Sequence, residues 1–267
     1  MTTPVYDRIG NDYDTTRRAD PYLATRMAHL LEVQAGGHYV DLACGTGNYT
    51  IALACRGGSW TGIDASAAMI EQARRKTSRI HWQCGTAESL AIHGPCDSVL
   101  CSLALHHFDD LDAVCLQVRQ AMPRGHFVIF TSSPEQMRQY WLNEYFPKAM
   151  ERSVEQMPSA DEVEKACLRA GFTRVERERY FVQPDLQDAF LYSGKHRPRI
   201  YFDEKVRDGI STFRLLADDD ETRRGCEQLD GDLTSGRFQE VLARFDSQLG
   251  DYLFLRATIG SNCEPRS

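Results

Sequence analysis

The sequence has no cysteine pair at Cys-x-x-Cys spacing, although nine cysteines are spread from Cys44 to Cys263. Odd in number and scattered, they exclude a disulfide framework or a zinc site as the organising feature, and no metal is expected. They read instead as reduced thiols, mostly buried, in a cytoplasmic protein. A basic surplus is missing too. The 31 Lys and Arg are outnumbered by 38 Asp and Glu, a formal charge of −7. Bulk attraction to nucleic acid or to an anionic membrane is thereby excluded. No uncharged run reaches the roughly 18 residues that a membrane-spanning helix needs. The opening stretch MTTPVYDRIGNDYD carries early charge and no apolar centre, so neither a signal peptide nor a membrane partner is expected. Internal repeats, low-complexity tracts and a linker to a second domain are also absent.

What is present is alternation. From about residue 38 to 133, strand signals (HYVDLA, SWTGIDA, RIHWQCG, SVLCSLA, HFVIFTSS) alternate with helix signals (NYTIALACR, SAAMIEQARRK, DLDAVCLQVRQAM). Between the third and fourth strands, AESLAI reads as a short turn or helix. The pattern specifies βαβ units and a parallel sheet. The strands are apolar throughout, as in a sheet covered by helices on both faces. Ser66 is positioned as an N-cap. Further on, EQMRQYWLNEYFPKAM reads as an aromatic helix and SADEVEKACLRAGF as a second, opened near Ser159 or Asp161 and ended by Gly171. TRVERERYFVQ and DYLFLRATI read as the last two strands, with residues 184–246 inserted between them.

In YVDLACGTGNYTIAL, a strand ends at Asp41 and a helix starts near Asn48, with Gly45 and Gly47 in the turn. Such a turn puts open backbone N–H groups at a crevice, and the glycines let a ligand lie against the backbone. The next strand ends in Asp64, placed to accept both hydroxyls of a ribose. A nicotinamide dinucleotide asks for a third glycine, but Thr50 stands there, and Asp41 would repel a pyrophosphate. An aspartate suits a cationic amine instead. A ligand with ribose, adenine and an amino-acid end meets these conditions, which describes S-adenosylmethionine.

The stretch resembles the first motif, D/E-x-G/A-x-G-x-G, of class I S-adenosylmethionine-dependent methyltransferases, and most resembles their small-molecule "type 11" group. Ala43 stands for the more usual first glycine, with Cys44 beside it. GIDAS with Met69 resembles the second motif, GTAES the adenine loop and CDSVLCSLALHHFDD the fourth-strand motif, so residues 38–133 are well covered. YDRIGNDYDTTRRADP resembles the N-terminal helix that closes over the cofactor in that group.

The resemblance implies an α/β fold: a doubly wound, Rossmann-like sheet of seven strands, the last antiparallel, with an N-terminal helical lid and a C-terminal helical insertion. The expected divisions are 1–37 (lid), 38–183 (cofactor-binding core), 184–246 (acceptor cap) and 247–267 (final strand and tail). It implies cofactor contacts from Asp41, Ala43, Gly45 and Gly47 to the methionine moiety, and from Asp64 to the ribose. Ala65, Met69 and Ala87 are expected at the adenine, with Glu88 either there or capping the next helix. Ser102 and Leu103 should lie beneath the sulfonium. Tyr6, Tyr13 and Arg17 are expected to cover the cofactor, with Arg17 on its carboxylate. His106 and His107 read either as helix caps or as a general base, His107 the first choice. Trp141, Tyr145 and Phe146 are either core or the wall of an acceptor pocket, and Tyr201 belongs to the proposed cap. The expected partner is a small-molecule methyl acceptor. Asn/Asp-Pro-Pro-Tyr/Phe, the motif of amino-methylating nucleic-acid enzymes, is missing, and the corresponding stretch reads CSLALHHF. A non-catalytic S-adenosylmethionine-binding protein, a nucleotide-dependent oxidoreductase and a thiol or metalloid methyltransferase are the alternatives.

Overall fold

Seven strands form one sheet in the order β3-β2-β1-β4-β5-β7-β6. The structure, a computed structural model, describes residues 13–89 and 95–260. The strands are β1 (His38–Leu42), β2 (Ser59–Asp64), β3 (His81–Cys84), β4 (Ser98–Ser102), β5 (Gly125–Thr131), β6 (Arg174–Tyr180) and β7 (Tyr252–Ile259). The first five run parallel. β7 lies between β5 and β6, antiparallel to both, as the resemblance implied.

Alternate strand residues feed two cores. Val40, Leu42, Val99, Cys101, Phe127 and Ile129 face one layer of helices. Tyr39, Leu100, Val128 and Phe130 face the other, which also contains most of the insertion. This two-sided burial explains why the strands read as continuous apolar runs. β6 is different: it is an edge strand, and its Arg and Glu residues keep the open edge charged.

The helices are α1 (Tyr13–Thr16), α2 (Pro21–Leu30), α3 (Asn48–Ala54), α4 (Ala67–Lys76), α5 (Leu111–Ala121), α6 (Pro134–Met137), α7 (Leu142–Tyr145), α8 (Pro147–Glu155), α9 (Ala160–Ala170), α10 (Glu204–Asp208), α11 (Asp219–Ser235) and α12 (Phe238–Arg244). Ser66 caps α4 by accepting from the Met69 N–H. Ser159 and Glu162 form a capping box on α9, and Gly171 ends that helix at φ 98°. The aromatic helix expected over residues 135–150 is instead three short helices, α6 to α8. Pro147 lacks an N–H and disfavours helical backbone at Phe146, which sits at φ −134°. Trp141, Tyr145 and Phe146 are buried there as core.

Residues 184–246 lie between β6 and β7 and hold α10 to α12. The strand order reverses between β1 and β4, so a crevice opens at the carboxyl ends of these neighbours. No helix among the described residues is long and apolar enough to cross a membrane.

Candidate active site

A cavity of about 580 Å³ opens at that crevice, within the size range of small-molecule sites. Its floor is made by strand ends. The chain leaves β1 through Ala43 at φ 57° and Gly45 at φ 56°, and leaves β4 through Leu103 at φ 56°. Left-handed backbone is costly for Ala and Leu, and two such residues on adjacent strand ends mark a site where the shape of the backbone matters. A Cβ on Gly45 would meet nothing within 4 Å, so the space above it belongs to the cavity. Gly47 differs. It is not on the cavity wall, and a Cβ there would come within 2.2 Å of the Trp82 ring. A left-handed φ of 77° and the packing of Trp82 against the turn both call for that glycine.

Asp64 organises the loop above β2. One carboxylate oxygen accepts from the Gly45 N–H at 2.8 Å and the other from the Ser66 N–H at 2.8 Å. Asp41 is buried, 2% exposed, and accepts from the Thr50 hydroxyl at 2.5 Å. Its pKa is pushed up to about 7, chiefly by desolvation and secondarily by Asp64, with the Thr50 bond opposing both. Thr50 therefore does more than replace a third glycine: its hydroxyl satisfies the buried acid. Burial, with Asp41 and Asp64 nearby, pushes the Cys44 thiol well up, which makes it a poor nucleophile.

Ala65, Met69, Ala87 and Glu88 line one wall of the cavity, and Ser102, Leu103, His106 and His107 line the floor and mouth. The centroids of the two imidazole rings lie 3.8 Å apart. Desolvation pushes His106 down to about 3, with His107 adding to the effect, and His107 down to about 4, although His107 reaches the exposed rim. His106, the more enclosed of the two, is neutral near pH 7 and weak as a base. The Nε2 atom of His106 is buried without a hydrogen-bond partner.

The N-terminal segment straps this floor to the insertion. Asp14 accepts from the Thr46 hydroxyl at 2.6 Å and from the Asn48 amide at 3.0 Å, and pairs with Lys76 at 2.6 Å. Arg17 lines the cavity while its guanidinium makes a forked pair with Asp188, at 2.7 and 3.3 Å. Asp188 is 1% exposed and also accepts from the Tyr49 hydroxyl at 3.2 Å. Asp14 and Asp188 carry no sequence signal, because their partners lie far along the chain; Thr50 stands out in the sequence only as the residue in place of a third glycine, with nothing to mark its bond to Asp41. Tyr6 lies outside the described residues, and Tyr13 is described only by its place in α1.

From the insertion, Asp188, Phe190, Leu191, Ile210, Ser211 and Thr212 complete the cavity, together with Met137, Ser153 and Met157. Tyr201 is not among the lining residues. It is fully buried, donating to the Leu191 carbonyl at 2.6 Å and accepting from the Gly194 N–H at 3.1 Å.

A methyltransferase-domain profile matches residues 40–125. A solved structure from Anabaena variabilis, described as a methyltransferase of an antibiotic biosynthesis pathway, is 30% identical, with 91% of this chain and 98% of that one covered at a TM-score of 0.82. This chain belongs to the class I S-adenosylmethionine-dependent methyltransferases. The oxidoreductase and non-catalytic alternatives fall away, and the cofactor of this methyltransferase is S-adenosylmethionine.

A ubiquinone/menaquinone biosynthesis C-methyltransferase of Rubrivivax gelatinosus is 27% identical over 45% of this chain, which spans about half (48%) of that relative's length. A Haemonchus contortus phosphoethanolamine N-methyltransferase, solved in complex with S-adenosyl-L-methionine, shares the fold at 17% identity and a TM-score of 0.59, over 95% of this chain and 55% of that one. The methyltransferase cavity fits its cofactor on its own terms. The open cradle over Gly45 admits a ligand against the backbone, and two carboxylates at adjoining strand ends suit a molecule bearing both hydroxyls and a cationic amine.

Proposed function

We propose that this methyltransferase acts on a small-molecule acceptor held beneath residues 184–246. The observation that carries the reading is the continuity of one cavity, from the acids at the ends of β1 and β2 to the underside of the insertion. The cofactor supplies an activated sulfonium methyl, so the protein's contribution is positioning and exclusion of water. Asp64, held by two backbone N–H groups, offers its remaining lone pairs to the ribose. Asp41 faces the amine of the methionine moiety. Ala43, Gly45, Ser102 and Leu103 line its path, and Ala65, Met69, Ala87 and Glu88 surround the adenine. Arg17 acts through Asp188, closing the N-terminal strap rather than serving as a free carboxylate ligand.

Of the two histidines, His106 lies deeper and becomes the first choice for orienting the acceptor. Its low basicity fits a hydrogen-bond partner better than a strong base. The formal charge of −7 favours a small molecule over nucleic acid as acceptor. The test couples calorimetry with S-adenosylmethionine and S-adenosylhomocysteine to a metabolite screen that scores S-adenosylhomocysteine formation. Turnover with a small molecule is expected, reduced in Asp64→Ala at S-adenosylmethionine concentrations that do not saturate the variant. Methylation of RNA or protein in place of any small molecule would overturn the acceptor assignment.

A further inference from the structure

The half of the cavity beneath the insertion brings methionine, aromatic and aliphatic side chains together with hydroxyls and leaves no formal charge unneutralised in its interior, and we infer that the methyl acceptor is an uncharged molecule with an apolar body. This deepens the proposed function and rests on its assignment of that half to the acceptor. The walls there include Met137, Met157, Phe190 and Ile210. Methionines and an aromatic ring favour a flat or irregular apolar body. The hydroxyls are partly committed already: Ser153 and Thr212 bond each other at 2.8 Å, and the Tyr252 hydroxyl accepts from the Tyr192 N–H at 3.0 Å.

The ionic groups are spoken for or displaced to water. Asp188 and Arg17 neutralise each other by a forked pair. Arg18 and Asp109 line the cavity only from exposed positions. His106 is held neutral by desolvation, and His107 reaches the exposed rim. A carboxylate or phosphate on the acceptor would therefore lose its hydration with no interior cation among the described residues to replace it. A cationic acceptor would meet no free interior anion there.

The test uses three aromatic acceptors that share a phenol nucleophile and differ only in the para group, as carboxamide, carboxylate or aminomethyl (ammonium), with the matching aniline and benzyl thiol sets alongside. Binding to the full chain saturated with S-adenosylhomocysteine is read by calorimetry, independently of turnover. The carboxamide members are expected to bind at least roughly tenfold more tightly than both charged members. Met157→Lys, at a half-buried position where the stem can lie along the wall and the amine reach water, should shift preference toward the carboxylate by roughly tenfold. Tighter binding of the carboxylate or ammonium members to the unmodified protein would overturn the inference. So would failure of every neutral member to bind while S-adenosylhomocysteine binds. Failure to bind S-adenosylhomocysteine at all would instead speak against the proposed cofactor site.

Discussion

Asp64 and Asp41 sit on adjoining strand ends, but their environments set them different tasks. Asp64 is tied to two backbone N–H groups, so it shapes the loop as well as presenting oxygen to a ligand. Asp64→Ala should weaken S-adenosylmethionine binding by roughly 10–150-fold, the equivalent of about 1.5–3 kcal/mol. Asp64→Asn retains one carbonyl oxygen and should lose less. Equal affinity of wild type and Asp64→Ala in calorimetry would remove Asp64 from the site. Asp41 makes a pH prediction. Its pKa of about 7 lies above the unfolded carboxylate value, so its ionisation costs stability increasingly as pH rises from about 4 to 7. A bound ammonium favours the ionised form, so binding near or below pH 7 should release a proton, and affinity should fall by up to about tenfold per unit as pH drops below 7. Calorimetry in buffers of different ionisation enthalpy counts that proton. The release should vanish in Asp41→Asn, and its absence in the wild type would show that Asp41 does not face the amine.

At the scale of elements, the strap formed by α1 and the chain up to Asp20 reaches both halves of the cavity through Asp14 and Arg17. Arg17→Ala leaves Asp188 buried without its cation, and breaking such a pair costs about 3–5 kcal/mol. Adding Asp188→Asn should restore part of that loss, because the orphaned charge is gone. A double-mutant cycle on thermal unfolding reads this coupling, and strictly additive effects would refute it. Removal of residues 1–19 spares the Asp20 side chain that caps α2. The truncated protein should remain folded by circular dichroism and bind cofactor poorly; binding as tight as in the full chain would refute the strap's role. None of these contacts was legible in the sequence, since Arg17 and Asp188 are 171 residues apart. The parallel strands and the turn after β1 were legible, because burial on both faces and a strand–glycine–helix transition leave local marks. The antiparallel placement of β7 came through family resemblance, not from its own pattern. Gly47 is legible as a motif glycine, but the Trp82 ring packed against it is not, because that contact joins distant parts of the chain. The break at Pro147 was legible in principle, but the surrounding apolar periodicity concealed it.

At the scale of the whole molecule, the insertion is both core and cavity wall, and the two roles separate by residue. Phe190 and Ile210 are buried against the core while also lining the cavity. Tyr201 lies wholly on the core side, edge-on to Trp141 at 5.5 Å, with its hydroxyl engaged at both lone pair and proton. A substitution at Tyr201 therefore probes folding. Tyr201→Ala removes a fully buried ring and leaves the Leu191 carbonyl and Gly194 N–H to find other partners. The loss should be about 3–5 kcal/mol or more, which for a chain of this size lowers Tm by roughly 10 °C. Cofactor affinity of the folded fraction should stay within about threefold of wild type, well under 1 kcal/mol. Ile210→Ala gives the contrasting case: it enlarges the cavity as well as loosening the core, so acceptor affinity should change more than in Tyr201→Ala for a smaller fall in Tm. The paired measurement is thermal unfolding beside calorimetry, with S-adenosylmethionine and then with whichever acceptor turns over. If Tyr201→Ala instead altered acceptor preference at unchanged Tm, the division of the insertion into a core side and a cavity side would be wrong.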